Sequence, residues 1–89
     1  MKVFKYQIPL DDLFALDLPV KARVLTVQEQ HGEPQMWVLV DEDSTKETRN
    51  FRLAGTGHNI DDNPEALDYI GTFQLGGGSF IGHLFEIKQ

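Results

Sequence analysis

Apolar and polar positions alternate with a period of two along most of this chain, which predicts β-strands. In residues 2–8, Phe4, Tyr6 and Ile8 fall on one face and Val3, Lys5 and Gln7 on the other. Residues 12–18 fit either a strand or a helical turn, and Pro9 and Pro19 bracket them too closely for a long helix. Residues 23–30 and 35–41 read as a hairpin turning at His31-Gly32. Centred there, the hairpin sets Leu25 against Val38 and Val27 against Met36, with Val24, Thr26, Trp37 and Leu39 on the opposite face. Both faces are apolar, so the ribbon calls for cover on two sides, from its own chain or from a second subunit. Trp37 is the candidate anchor, in the core or at a subunit interface.

Asp41 to Glu47 is polar and reads as a loop, followed by a strand over 48–54 with Phe51 and Leu53 inward and Arg49 near them. Asn63-Pro64-Glu65 has the composition of a helix start, Asn63 capping and Pro64 in the first turn, with room for one short helical turn over 63–67. A last hairpin joins 69–75 to 80–88 through Gly76-Gly77-Gly78-Ser79. With Leu75 opposite Phe80, Phe73 meets Gly82 and Leu84 meets Gly71, so each large side chain lies over bare backbone. The other face then carries Ile70, Thr72, Gln74, Ile81, His83 and Phe85, with Thr72 directly across from His83. The expected fold is mainly β: a compact antiparallel sandwich or half-open barrel of six to seven short strands with one short helical turn, in a single domain over 1–89.

Composition narrows the function. With 89 residues the chain makes one small domain, for which oligomerisation is a common support, most simply as a two-fold dimer. There is no cysteine, which removes disulfides, thiolate ligands and thiol nucleophiles. No apolar run suits a signal peptide or a membrane span, so a cytoplasmic location without membrane contact is the expectation. The net charge of −6 speaks against direct binding to nucleic acid and permits docking on a basic surface. Asp41, Glu42, Asp43, Asp61 and Asp62 are the acidic candidates for such a partner, together with Trp37.

Seven of the eight glycines and two of the three histidines lie between Gly55 and His83, interleaved with Phe, Ile and Tyr. That mixture specifies a shape rather than a linker. Gly55-Thr56-Gly57-His58 ends a strand, and its amides either cradle an anion or form a bulge and turn. Neither nucleotide-binding glycine motif is matched. His83 sits among Ile81, Phe85 and Ile87, either as a neutral ring satisfied by Thr72 or Gln74, or with them as the polar lining of an apolar pocket. Tyr69 or Phe73 offers a stacking face. His58, Asp61 and Asp62 lack a diagnostic metal spacing, and no metal or cofactor is expected. Ser79 stands in a glycine turn rather than a nucleophile elbow, and only Glu86, between Phe85 and Ile87, has an apolar setting. No enzymatic activity is expected.

The set Gly55-Thr56-Gly57-His58, Ile60-Asp61-Asp62, Tyr69-Ile70-Gly71-Thr72-Phe73-Gln74, Gly77-Gly78 and His83-Leu84-Phe85-Glu86 resembles a family of small uncharacterised proteins encoded by tailed bacteriophages and prophages. Lys5-Tyr6…Pro9 and the turn before Trp37 fit its layout, and the resemblance spans nearly the whole chain. The family carries no assigned activity, but it implies a phage setting. Small acidic phage proteins without enzyme motifs are often accessory factors that counteract host defence. The expectation is therefore a binding protein that sequesters a small anionic, nucleotide-like signal. Its site would be Gly55, Thr56, Gly57, His58, Tyr69, Thr72, Gln74 and His83. The alternatives are an inhibitor that docks its acidic loops on a basic host protein, and a minor virion component.

Overall fold

The computed structural model describes residues 1–88 and contains seven strands: β1 (Lys2–Gln7), β2 (Leu13–Pro19), β3 (Arg23–Gln30), β4 (Glu33–Val40), β5 (Lys46–Gly55), β6 (Leu67–Leu75) and β7 (Phe80–Ile87). They form two antiparallel sheets, one ordered β1-β4-β3 and the other β2-β5-β7-β6. The chain is mainly β, as its alternation predicts. Residues 12–18 resolve as a strand because their alternation turns Phe14, Leu16 and Leu18 toward the core, the first two partly buried, and leaves Leu13, Ala15 and Asp17 outside. No helix among the described residues is long and apolar enough to cross a membrane.

The core lies between the sheets. Val27, Met36, Val38 and Val40 come from one, and Leu18, Phe51, Leu53, Phe73 and Leu84 from the other. The sheets touch where β3 runs against β6. Gly71 permits that approach: a Cβ there would lie 3.0 Å from Val27 Cγ1. The sequence reading placed Leu84 over Gly71. Instead the space belongs to Val27 of the other sheet, a tertiary contact that hairpin alternation does not encode. Phe73 does lie over Gly82, where an added Cβ would meet the ring at 2.6 Å.

The β6–β7 register is the expected one: Leu75 faces Phe80, Phe73 faces Gly82, Thr72 faces His83 and Gly71 faces Leu84. A bulge between Tyr69 and Gly71 alters the next step. Ile70, expected on the outer face, turns to the core, and Tyr69 takes the outer position opposite Phe85. The β3–β4 hairpin turns at His31-Gly32, both with positive φ (54° and 81°), as a two-residue primed turn requires. Val27 faces Met36 as expected, but Leu25 does not face Val38. Leu25 is the extra residue of a bulge, so Val24 takes the place opposite Val38 and Leu25 is left 44% exposed.

That bulge settles the two-faced ribbon. Its inner face is buried in the core. Among the described residues no further strand or helix packs over its outer face, where Trp37 and Leu39 are half-buried and Val3 is exposed. Gln35 is buried on this same outer side, beneath side-chain bonds from Lys5 to Gln30 and from Gln7 to Glu33.

Arg49 ties neighbouring strands of one sheet to each other and to the chain entering the other sheet. Arg49 on β5 forms a two-pronged pair with Glu86 on β7, through Nε to Oε2 and through Nη2 to Oε1 at 2.8 Å. Its Nη1 donates to the carbonyl of Ala22, just before β3, at 2.8 Å. Glu86 is therefore a partnered carboxylate and not an isolated acid. The bond to Glu86 raises the Arg49 pKa above its ordinary value, against an opposing effect of burial.

Candidate functional site

β7 lies between β5 and β6, and this order assembles the site. Alternation turns His83 outward, away from buried Leu84. Ala54 of β5 and Thr72 of β6 flank it in register, and the small Ala54 side chain leaves room for the ring. Thr56, two residues past Ala54, reaches back over the same face. The result is a continuous hydrogen-bonded line across the outer face of the four-stranded sheet. Thr56 Oγ1 stands 2.7 Å from His83 Nε2, His83 Nδ1 3.0 Å from Thr72 Oγ1, and Thr72 Oγ1 2.6 Å from Tyr69 OH.

A neutral imidazole has one donor and one acceptor nitrogen, so the line has a direction. Either Thr56 donates to Nε2 and Nδ1–H donates to Thr72, or Tyr69 donates to Thr72, Thr72 to Nδ1 and Nε2–H to Thr56. Both arrangements satisfy every bond, and a group arriving at either end selects between them.

At the Tyr69 end the line meets an apolar groove of about 260 Å³, lined by Ile60, Asp62, Pro64, Leu67, Tyr69 and Phe85. The Tyr69 and Phe85 rings are tilted by 60° with centroids 5.7 Å apart, and Tyr69 is 62% exposed. The far wall comes from the loop after β5. Arg52 holds that loop by donating from Nη2 to the Asn59 carbonyl at 3.2 Å and by placing Nε 3.2 Å from Asp62 Oδ1. The Nε contact is close in distance but lacks hydrogen-bond alignment, which leaves that nitrogen buried without a hydrogen-bond partner among the described residues. Pro64–Ala66 forms the expected helical turn, with Asn63 Oδ1 accepting from the Glu65 amide at 3.0 Å.

The structure brings together Thr56, Tyr69, Thr72 and His83 from the expected set. Gln74 shares their face one step further along, opposite Ile81, and joins none of their bonds. His58 stays near Thr56 but is separated from Tyr69, Thr72 and His83. Its ring packs on the other side of β5, where a Cβ on Gly55 would lie 2.8 Å away. There it lines a smaller groove of about 220 Å³ with Thr56, Ser79 and Phe80. The anion cradle expected at Gly55–His58 loses two of its amides, because Thr56 N–H donates to the Ile81 carbonyl and His58 N–H to the Gly55 carbonyl. Gly57 remains, with φ at 85°.

The acidic candidates do not form one patch. Asp41–Asp43 precede β5, whereas Asp62 is held beside Arg52, six residues into that strand and about 20 Å from its start. Glu42 pairs with Lys2 at 2.6 Å, and Asp41 Oδ1 accepts from the Asp43 amide. Among the described residues no group of three or more His, Asp or Glu side chains is arranged to hold a metal. Reading the sequence missed Ile60, Pro64 and Leu67 as groove walls. Their signal is faint, since only the path of the loop after β5 sets them beside Tyr69.

The chain matches, over residues 1–89, the family described as "Domain of unknown function (DUF7352)", and it belongs to that family. No curated protein and no solved structure matches it.

Proposed function

We propose that this DUF7352 protein is a non-enzymatic binding protein, a phage accessory factor that works against host defence by holding a nucleobase-like signal on the outer face of its four-stranded sheet. The observation that carries this reading is the unbroken line Thr56–His83–Thr72–Tyr69 running to the rim of an apolar groove. A flat ring with donors and acceptors on its edge suits both parts. It stacks on exposed Tyr69 or enters the groove against Phe85, and its edge meets hydroxyls whose orientation can adapt. The charge of a phosphate is poorly served, because Arg52 is turned to Asp62 and Asn59 and two loop amides are already bonded. Recognition therefore rests on the ring. The phage setting comes from the sequence motifs quoted above.

The test is a native mass spectrum of the protein purified gently from infected or prophage-bearing cells. The reading expects an adduct of nucleotide size that Tyr69→Ala and Thr72→Val both remove. A consistently bare protein would move the reading to a protein partner. One observation favours that second reading. The outer face of the three-stranded sheet leaves Val3 and Leu25 exposed beside half-buried Trp37 and Leu39. On that reading Trp37→Ser removes the partner and leaves the Tyr69 groove unchanged.

A further inference from the structure

The four-stranded sheet has β6 at one edge, packed against β3, and β2 at the other, where β5 is its only strand partner among the described residues. Its phase is fixed at both ends. Leu53 N–H donates to the Asp12 carbonyl at 2.9 Å, and Val20 N–H to the Thr45 carbonyl at 2.8 Å. In an antiparallel strand the N–H and C=O of one residue point to the same side, alternating along the chain. The β2–β5 register has no irregularity, so residues 12, 14, 16, 18 and 20 face β5. Leu13, Ala15 and Asp17 point their N–H and C=O away from the sheet.

The two outer edges of the molecule differ. β1 carries Lys2 and Lys5, charges of the kind that discourage pairing at an edge. β2 reads Leu-Phe-Ala-Leu-Asp-Leu-Pro, with one charge and no proline before its last residue. An undefended edge with three outward residues is a template for another strand.

We infer that β2 pairs antiparallel with β2 of a second copy, about a two-fold axis at Ala15, to join the two four-stranded sheets into one. Three features of this strand suit its own copy. Leu13 falls opposite Asp17 of the second copy and Ala15 opposite its equivalent, so every outward group is used, with two hydrogen bonds at each of three facing pairs. On the core side Phe14 falls opposite Leu16 of the second copy and Leu16 opposite its Phe14. These side chains are only partly buried in one chain, and the pairing covers both. The smallest side chain of the strand sits on the axis, where both copies crowd. The single charge, Asp17, meets a leucine rather than its own image.

The strand ends agree in charge. Asp11 and Asp12 precede β2, Lys21 follows it, and Lys46 lies beside Pro19 on β5. None of these four side chains has an ion pair in the described structure. The two-fold axis sets the acidic end of each copy against the lysine end of the other. The apolar groove of about 420 Å³ beside the edge, lined by Leu13, Phe14, Ala15, Asn50, Phe51 and Ile87, then lies next to the join. This pairing is independent of what the Tyr69 groove holds.

Sedimentation equilibrium on the full chain is the test. The expected species has twice the 10.1 kDa chain mass. Ala15→Pro removes an outward N–H that β5 does not use, so the fold is kept while the dissociation constant rises at least about a hundredfold. Ala15→Lys, which sets two like charges on the axis, acts in the same direction if the proline variant folds poorly. Val3→Lys on β1 leaves the mass unchanged. Because the chain has no cysteine, Ala15→Cys places a single thiol at the axis, about 5.5 Å from its equivalent between Cα atoms, and mild oxidation links the copies. A wild-type monomer at the highest soluble concentration would overturn the inference. So would a dimer that survives Ala15→Pro and leaves the Ala15→Cys thiols unlinked.

Discussion

The outer faces of the two sheets hold their side chains by different means. On the three-stranded sheet, Trp37 and Leu39 rest beside Val3 and Leu25, and a lattice of Lys5, Gln7, Gln30 and Glu33 closes over Gln35. On the four-stranded sheet, hydroxyls and an imidazole are aimed at one another from three strands. Packing of the first kind supplies area and tolerates change. Aimed hydrogen bonds supply direction, and direction is what discriminates one polar ring from another. On the proposed function, the second face is the one that recognises a small ligand, and the first is suited to broad contact.

The comparison can be broken from beneath. Gly82→Val drives a side chain into the Phe73 ring under the recognition face, and costs about 3 kcal/mol by overpacking. Thermal unfolding followed by circular dichroism reads the loss, and ligand binding falls with it. Arg49→Met strands the Glu86 carboxylate at the end of the core and costs about 2–3 kcal/mol. The double change Arg49→Met with Glu86→Leu recovers most of that, as a double-mutant cycle would show. Because the Arg49 pKa is raised, its folded state holds the proton more tightly than its unfolded state. With its carboxylate partner ionised, the linked stability is therefore full at neutral pH and fades only as pH rises through the raised value, above the ordinary arginine range. Unfolding midpoints from neutral pH to mildly alkaline pH should show no step from this group.

Smaller substitutions sharpen the contrast between the faces. Trp37→Ser removes a half-buried ring from the three-stranded sheet and costs about 1 kcal/mol, with affinity for a nucleoside unchanged in calorimetry. Thr72→Val does the reverse. It is nearly isosteric and exposed, so stability shifts by less than about 0.5 kcal/mol. Yet it cuts the line between Tyr69 and His83 and weakens binding about tenfold or more.

Local signals made part of this legible. The turn at His31-Gly32, the glycine loop before β7 and the facing pair Thr72–His83 all follow from alternation plus turn residues, which act within a few positions of one another. The bulges at Leu25 and Ile70 did not, because neither position carries a glycine or any other residue that forces an extra step. Thr56 joins His83 only because β5 lies beside β7, a pairing across 27 residues that no local pattern announces. The same distance problem hid the Arg49–Glu86 clamp and the return of the second acidic loop onto Arg52. Strand order is a property of the whole sheet, and the site is assembled by strand order.

The most direct measurement is an NMR titration of the wild-type protein with nucleosides and their monophosphates, following the His83 ring and the amides of β6 and β7. The account predicts shifts centred on Tyr69, Thr72, His83 and Phe85, similar with and without the phosphate. Shifts confined to the Trp37 face, or no shift on β6 and β7 at the highest soluble ligand concentration, would contradict it.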